Sequence, residues 1–340
     1  MPVMCRILLT AKVAIVTAAV TASDATEAGP IGQEQARPAV SVVVPCFNGG
    51  RFLDGLMASL VRQTFRDFEI IIVDDGSKDE ETRRKLAALE QQAHVIHQDN
   101  RGPSAARNVG IRQARADIVF TMDCDDTIEP TFLAETVPVL RAAPADVAAV
   151  FTDIRLVGAE SGVLPRYFNR FDLLFTNPLS SGLVLRKESW RVAGGFDESM
   201  REGYEDWDFS LRLARAGFRG IEVRKPLYIY FIAEDAVDPS RSSTVRNKRL
   251  YGQLWRSIRG KHPECYGPLV ILRTWRATRD GTSRVPLWKG LAAYLLALVL
   301  PDSWFSLLVD RLHQQGLWRV VREPPGNDEL PRRAILSEKS

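Results

Sequence analysis

The sequences VSVVVPCFN at residues 40–48 and FEIIIVDDGS at residues 68–77 decide the fold. Each is an apolar run, rich in β-branched residues, that stops at polar or turn-forming residues, which is typical of a buried strand. Between them, residues 52–60 carry apolar side chains at helical spacing. A strand, a helix and a second strand in this order predict the start of a parallel α/β sheet.

The alternation of helices and strands continues along the chain. The pattern predicts further helices at 79–90, 103–114 and 205–216, and strands at 95–97, 117–122, 147–154, 181–185, 218–223 and 227–231. Such an order is typical of a doubly wound α/β sheet, whose ligands bind beyond the carboxyl ends of the strands. We predict an N-terminal extension or linker at 1–38, a catalytic domain at 39–235 and a helical C-terminal extension at 236–340.

Composition limits the classes of function. The 340 residues are 45% hydrophobic and 26% charged, which is an ordinary globular balance, and the net charge of +3 is too small to indicate nucleic acid as the main partner. The four cysteines are far apart without a CxxC pair, which favours reduced thiols in a cytoplasmic protein. The four histidines lack metal-ligand spacing, so we expect carboxylates to carry any chemistry.

Two apolar segments raise the question of membrane contact. Residues 13–20 resemble the hydrophobic part of a signal peptide, although a poorly ordered extension or a start codon placed too early fits equally well. Residues 290–300 are apolar on nearly every side but too short to span a bilayer. They predict either a hairpin packed on the main domain or an anchor lying on a membrane surface. Basic and tryptophan residues lie nearby: Lys289, Trp304, Arg311 and Trp318.

The acidic segment DCDD at residues 123–126 is the most informative short motif. Three carboxylates in four residues repel one another, so a cation is expected among them. Oxygen ligands suit a hard cation such as Mg²⁺ or Mn²⁺, which commonly binds carboxylates together with substrate phosphates. At the end of a strand, this arrangement suggests a nucleotide diphosphate. The alternative is an acidic loop that caps the helix beginning near Thr131.

Three further polar segments have both a functional and a structural interpretation. Residues 74–77 (DDGS) could accept hydrogen bonds from a base or ribose, or form a simple turn. In residues 100–110, Arg107 and Asn108 could contact a phosphate or brace the acidic loops. The acids in residues 203–208 (GYEDWD) could cap the following helix or provide a general base.

Taken together, these segments resemble the family 2 glycosyltransferases, which have the GT-A fold. The resemblance covers residues 40 to about 230 and lies in the order and spacing of several motifs. These motifs are VVVPCFN (42–48), SLVRQTF (59–65), EIIIVDDGS (69–77), ARNVG (106–110), DCDD (123–126), GGFDE (194–198) and ED (205–206). It implies a GT-A mixed sheet flanked by helices, and an inverting, metal-dependent transfer from a nucleotide sugar, with uridine as the expected nucleoside.

The resemblance also implies roles for individual residues, which are expectations at this point. The donor nucleotide is expected at Pro45, Phe47, Asn48, Asp75, Arg107 and Asp123, and the metal (Mg²⁺ or Mn²⁺) at Asp123, Asp125 and Asp126. Asp206 is the expected catalytic base, with Glu205 raising its pKa by like-charge repulsion. The acceptor side is expected at Gly194, Gly195, Phe196, Glu205 and Trp207. A glycan or lipid-linked acceptor is expected, in surface polysaccharide or glycan biosynthesis, in the cytoplasm or at the cytoplasmic face of the membrane.

Two departures from the family pattern affect these expectations. Many relatives carry a histidine shortly after the strand at 227–231, where this chain has IAED at 232–235, so a third metal ligand is in doubt. Processive synthases carry a QxxRW motif, but QLWR at 253–256 has those residue types in a different order. We therefore predict the addition of a single sugar.

Other classes of function fit the sequence less well. A nucleotidylyltransferase should have a glycine-rich loop bearing Lys or Arg straight after the first strand, and PCFNGGR at 45–51 fits that poorly. A catalytically inactive relative is disfavoured because every acidic position is retained. An adaptor role would leave the clustered carboxylates unexplained.

Overall fold

The computed structural model describes residues 37–159, 161–180, 182–201, 203–232, 251–278 and 283–314. Of the predicted extension at 1–38, residues 1–36 lie outside the described residues. The strands are β1 (Val40–Cys46), β2 (Phe68–Asp74), β3 (His94–His97), β4 (Ile118–Thr121), β5 (Thr127–Ile128), β6 (Val147–Gly158), β7 (Gly162–Leu164), β8 (Leu183–Arg186) and β9 (Arg219–Ile232). The helices are α1 (Gly50–Val61), α2 (Glu80–Leu89), α3 (Pro103–Gln113), α4 (Phe132–Ala142), α5 (Lys187–Val192), α6 (Glu205–Arg215), α7 (Tyr251–Lys261), α8 (Pro268–Ala277), α9 (Leu287–Val299) and α10 (Asp302–Gln314).

The strands of the described residues form one mixed sheet in the order β3-β2-β1-β4-β8-β6-β9-β5, with β7 beside β6. The first four strands run parallel, as the alternating pattern predicted. Strand β8, at the centre of the sheet, is antiparallel to both of its neighbours, β4 and β6. Strand β9 is parallel to β6. A mixed α/β sheet flanked by helices confirms the fold class expected for a GT-A protein.

Helix α3 lies unusually close to the sheet at Gly110. A Cβ atom at this position would come within 2.4 Å of Val43 Cγ1 on β1, so only glycine fits without movement of the strand. The close approach fixes the height of α3 over β1. It also holds Arg107, one turn earlier on the same helix, near the carboxyl ends of the strands.

The two strands predicted at 218–223 and 227–231 are one irregular strand, β9, and the prediction of a break is wrong. Thr152 on β6 pairs with Val223, but Ile154 pairs with Tyr228, so extra residues of β9 bulge out of the ladder between them. Pro226 lies in this bulge, where its missing N–H costs no ladder hydrogen bond. The bulge explains why the apolar pattern looked interrupted in the sequence.

The C-terminal helices share a hydrophobic core with the sheet-bearing region. The buried Trp255 and Phe305 of α7 and α10 pack with Phe175 and Trp207, and Trp255 Nε1 donates a hydrogen bond of 2.7 Å to the Leu174 carbonyl. Burial of aromatic side chains on this scale is a large contribution to stability. The helical extension therefore packs directly against the region that carries the expected catalytic motifs.

A buried carboxylate also joins the two regions. Asp172 accepts hydrogen bonds from Tyr167 Oη at 2.9 Å, from Ser283 Oγ at 2.6 Å and from the Arg284 amide at 2.6 Å. These contacts hold the chain just before α9 against the body of the protein. In the described part of the chain, no helix combines the length and the apolar character needed to cross a bilayer.

Candidate active site

The loops that follow β1, β2 and β4 meet at one edge of the sheet, as predicted for parallel strands. The Asp75 amide donates to the Cys46 carbonyl at 2.8 Å, and the Met122 amide donates to the Val43 carbonyl at 3.2 Å. The loop after β1 passes so close to the acidic loop that a Cβ on Gly49 would lie 2.6 Å from Cys124 Sγ. The polar residues that end these strands therefore share one crevice.

Asp75 and Asn48 shape the side of this crevice where a nucleoside is expected. Asp75 is 3% exposed, and its Oδ1 accepts from Gln98 Nε2 and the Arg101 amide, while Oδ2 accepts from the Gly102 amide. A carboxylate has about four acceptor positions, so one remains on Oδ2. Asn48 Oδ1 accepts from the Lys78 amide at 2.8 Å and braces the neighbouring loop.

The first-strand loop also presents an aromatic ring to solvent. Phe47 is 47% exposed at the edge where the loops meet, whereas Pro45 before it is buried at the end of β1. An exposed aromatic face can stack on a planar base. Among the residues expected at the nucleoside, Phe47 therefore has an exposed ring face and Asp75 has one unused acceptor position. Pro45 is buried and contributes to packing.

Arg107 links the two acidic segments. Its Nη2 donates to Asp123 Oδ1 at 2.6 Å and its Nη1 donates to Glu205 Oε1 at 2.7 Å. Burial lowers the pKa of the guanidinium, but the charges of Asp123 and Glu205 outweigh burial and raise the pKa of Arg107 above its ordinary value. Because both ends of the guanidinium are occupied by carboxylates, the structure supports the bracing role that the sequence left open.

The surroundings of Asp125 disfavour its anionic form. Burial, and then the charge of Asp123, raise the pKa of Asp125 to about 6, with Arg51 and Arg107 opposing the rise. A carboxylate so destabilised as an anion gains from a bound cation. Asp123 and Asp125 are partly exposed and supply the oxygen ligands that Mg²⁺ or Mn²⁺ prefers, so this pair fits a divalent metal.

The structure corrects the prediction that Asp126 is a metal ligand. Asp126 is 1% exposed, and its Oδ2 accepts from Tyr228 Oη at 2.5 Å while Oδ1 accepts from the Phe231 amide at 3.3 Å. Burial, and then Asp125 and Asp123, raise the pKa of Asp126 well above its usual range. Asp126 therefore anchors β9 to the acidic loop. Among the described residues, no three His, Cys, Asp or Glu side chains gather as a metal-binding group, and residues 233–235, where a third ligand was in doubt, lie outside them.

Asp206 has a raised pKa in the first turn of α6. Burial, and then the like charge of Glu205, raise the pKa of Asp206 to about 7, although Arg107 opposes the rise. The expected influence of Glu205 is therefore present, but burial contributes more. The side chain remains partly exposed, so it is able to reach a bound molecule. A carboxylate with a pKa near 7 is a far better proton acceptor at neutral pH than an ordinary one.

The segment expected at the acceptor side is held by Asn108. Its Oδ1 accepts from the Phe196 amide at 2.8 Å and from Trp190 Nε1 at 3.1 Å, and its Nδ2 donates to the Phe196 carbonyl at 2.8 Å. The Phe196 ring is buried against Phe209, 4.4 Å between centroids. Gly194 and Gly195 have positive φ angles of 81° and 73° that turn the chain here.

A cleft of about 570 Å³ lies beside this segment. It is lined by Asn108, Arg112, Trp190, Arg191, Gly194, Gly195, Phe196, Asp197, Glu198 and Arg212. Neither Glu205 nor Asp206 is among these lining residues. The acceptor segment therefore forms one wall of a cleft that neighbours, but does not contain, the expected base.

The structure also corrects the expectation for Trp207. This side chain is fully buried in the core that joins the helical extension, and its Nε1 donates to the Leu173 carbonyl at 2.7 Å. Trp207 follows Asp206 on α6 and is therefore turned by about 100° from it around the helix axis, toward the core. Trp207 supports α6 from beneath and does not offer a surface to an acceptor.

Sequence reasoning missed three residues that shape the site. Tyr228 pairs with Asp126, and Gln98 donates to Asp75. Arg166 is buried without an ion-pair partner among the described residues and donates to the Ser180 carbonyl at 3.2 Å. Burial lowers the pKa of Arg166 to about 10, so it stays charged at neutral pH. Tyr228 alternates inward along β9, but nothing in the sequence distinguishes it from an ordinary core residue.

The fold and the strand-end carboxylates define a GT-A type protein. Residues 41–183 match the family model described as Glycosyl transferase family 2. This match confirms the resemblance and the class of enzyme, a glycosyltransferase.

Curated relatives agree with this assignment. The chain is 27% identical over 188 residues to chondroitin synthase from Escherichia coli, an alignment that covers 53% of this chain and 27% of that protein. It is 29% identical over 266 residues to the pre-mycofactocin glycosyltransferase of Mycobacterium tuberculosis (strain ATCC 25618 / H37Rv), covering 72% of this chain and 53% of the relative. The chain thus spans about half, or less, of the length of these relatives.

A solved structure supports the fold. Staphylococcus aureus TarS 1-349 in complex with UDP-GlcNAc superposes with a TM-score of 0.53 at 17% identity, covering 81% of this chain and 87% of that one. At this identity the likeness establishes the shared fold.

We predict that Arg107→Gln destabilises the protein by roughly 2–4 kcal/mol, because it leaves the Glu205 carboxylate buried without its cation. The partial exposure of Asp123 reduces the cost below that of a fully buried pair. Thermal or urea unfolding measures the effect. The matched control is Arg112→Gln on the exposed face of the same helix, which should change stability by less than about 0.5 kcal/mol. Equal stability of the two variants would contradict the bracing role of Arg107.

Proposed function

We propose that this protein is an inverting, metal-dependent glycosyltransferase that moves one sugar from a nucleotide-sugar donor to an acceptor hydroxyl. The observation that carries the proposal is the link made by Arg107. It joins Asp123, in the acidic loop that would face the donor diphosphate, to Glu205, the neighbour of a partly exposed aspartate with a pKa near 7. One side chain therefore connects a candidate leaving-group site to a candidate base.

The donor is proposed to be a UDP-sugar. TarS, which shares the fold, binds UDP-GlcNAc. In this chain the base would stack near the exposed Phe47, and the remaining acceptor position of Asp75 would bind a donor group of the base or ribose. Asn48 would keep the loop in shape through its hydrogen bond to the Lys78 amide.

Asp123 and Asp125 would hold a divalent cation, Mg²⁺ or Mn²⁺, together with the donor diphosphate. When bound, the ion would supply positive charge that stabilises the departing diphosphate. Arg107 would keep Asp123 in position. Asp126 would hold the acidic loop in position against β9 through its hydrogen bond with Tyr228.

Asp206 would act as the general base. It would accept the proton of the acceptor hydroxyl as that oxygen forms a bond to the anomeric carbon, while the bond from this carbon to the diphosphate breaks on the opposite face. The configuration at the anomeric carbon would invert. Glu205 would help to keep the pKa of Asp206 high. The positive charge of Arg107 would offset part of the repulsion between the Glu205 and Asp206 carboxylates.

The acceptor is proposed to be a glycan or a lipid-linked sugar, in surface polysaccharide or glycan biosynthesis. We propose that the reaction takes place in the cytoplasm or at the cytoplasmic face of the membrane. The thiols of Cys46 and Cys124 lie in hydrogen-bond contact at the site and are both free, which fits a reducing compartment.

Titration calorimetry with UDP, GDP, TDP and CDP, with and without Mn²⁺, tests the donor site. We expect one diphosphate, UDP, to bind in a metal-dependent manner, and Asp125→Ala to weaken that binding at least about tenfold because a metal ligand is lost. Asp54→Ala, which removes an exposed carboxylate of α1, is the control and should bind as the wild type does. Failure of every diphosphate to bind would contradict a nucleotide-sugar donor.

Asp206→Asn tests the base. Loss of a positioned proton acceptor should lower kcat by about 100- to 10,000-fold while leaving UDP affinity nearly unchanged. In the wild type, kcat/KM should fall as the pH drops below about 7, since protonated Asp206 cannot accept a proton. Sugar release from the donor, measured with and without added acceptor, reports turnover. Normal turnover in Asp206→Asn would remove this residue from the mechanism.

A further inference from the structure

Helix α9 fully buries only small residues and leaves four of its large apolar residues exposed, while Leu291, Tyr294 and Leu296 are half-buried against the core. Its buried positions are Gly290, Ala293 and Ala297, whereas Trp288, Leu295, Leu298 and Val299 are between 54% and 79% exposed. At 100° per residue the two sets fall on opposite sides of the helix. A helix that only packs against a core would have the reverse arrangement.

Helix α10 extends the same kind of surface. Phe305 and Val309 are buried, while Trp304 and Leu307 are 69% and 70% exposed, and Leu308 is 37% exposed. Spacings of three and four residues place these three side chains on one face, and the exposed Arg311 follows on it. We call these seven apolar residues of α9 and α10 the apolar face: Trp288, Leu295, Leu298, Val299, Trp304, Leu307 and Leu308.

Basic residues accompany the apolar side chains on both helices. Arg311 follows Leu307 and Leu308 along their face of α10, and Lys289 adjoins Trp288 on α9, while the sequence of α10 also contains Asp302 and Asp310. Helix α9 contains no acidic residue, and its Lys289 ammonium lies 5.7 Å from the centre of the Trp288 ring. This combination favours a partner that is apolar beneath a negatively charged surface.

We propose that the apolar face docks the protein on the surface of an anionic lipid bilayer. Its leucines and Val299 would enter the boundary of the acyl chains, Trp288 and Trp304 would lie at the level of the headgroups, and Lys289 and Arg311 would contact lipid phosphates. Each helix has 13 residues and is therefore about 20 Å long, short of the roughly 30 Å hydrocarbon core. The helices would lie on the bilayer and not cross it.

Docking through this face would hold the crevice near the membrane. The apolar face belongs to the helices that share a core with Trp207, directly beneath α6 and its Asp206. A lipid-linked acceptor would then diffuse in two dimensions beside the protein. Lipid binding itself does not depend on the proposed sugar transfer, so Asp206→Asn should bind vesicles as well as the wild type.

Co-sedimentation of the full chain with vesicles tests the proposal. The vesicles are phosphatidylcholine alone or phosphatidylcholine mixed with phosphatidylglycerol. We expect binding to the anionic vesicles, weakened at least about tenfold in the double variant Leu298→Ser with Leu307→Ser. Arg311→Gln should weaken binding by about fivefold, with a smaller effect at high salt. The matched control is Leu164→Ser, an exposed leucine on β7, which should bind normally.

Two measurements distinguish a loss of lipid binding from misfolding and from self-association. The melting temperature and UDP binding of the double variant should match the wild type, because both leucines are exposed. Analytical ultracentrifugation of the wild type and double variant examines self-association through the same face. The proposal is overturned if the wild type ignores anionic vesicles, if the variants bind as well as the wild type, or if the double variant only disperses an oligomer that never binds lipid.

Discussion

The ion pairs of Arg107 are the contact on which the rest of the site depends. Parallel strands bring the carboxylates of several loops to one edge of the sheet, and like charges at such an edge repel one another. Arg107 relieves this repulsion at two points, Asp123 and Glu205, because a planar guanidinium can bind two carboxylates at once. It does not reach all the acids. Asp125 and Asp206 keep raised pKa values, and these are the carboxylates left for a cation and for a proton.

Most of the sheet could be predicted from the sequence. The apolar runs at β1 and β2 are continuous because both faces of a parallel strand are buried, and the helices between them keep a clear period. Strand β9 could not be read correctly, because the bulge around Pro226 interrupts the pattern without interrupting the strand. The short strand β7 has only three residues, all of them exposed, which is too few for a recognisable alternation of apolar and polar residues.

The site was predictable in its location and less so in its details. Motif order identifies which loops meet, since strand ends converge regardless of the side chains between them. It does not tell which way a side chain faces. Asp126 and Trp207 stand beside functional positions in the sequence, yet the first faces Tyr228 and the second faces the core of the helical extension. Arg166 carried no signal, because its partners are the backbone carbonyls of Thr152, Ser180 and Gly182, which no side-chain pattern in the sequence reveals.

The central claim is that burial, assisted by the like charge of Glu205, makes Asp206 a base at neutral pH. Titration of ¹³C-labelled aspartate carboxyl groups by NMR, without nucleotide or metal, measures this directly, with the Asp206 signal identified by its loss in Asp206→Asn. The account predicts a midpoint of about 7 in the wild type and a lower one in Glu205→Gln, in which the like charge is removed. A wild-type midpoint near the ordinary value of 3.8, or one that Glu205→Gln leaves unchanged, would contradict it.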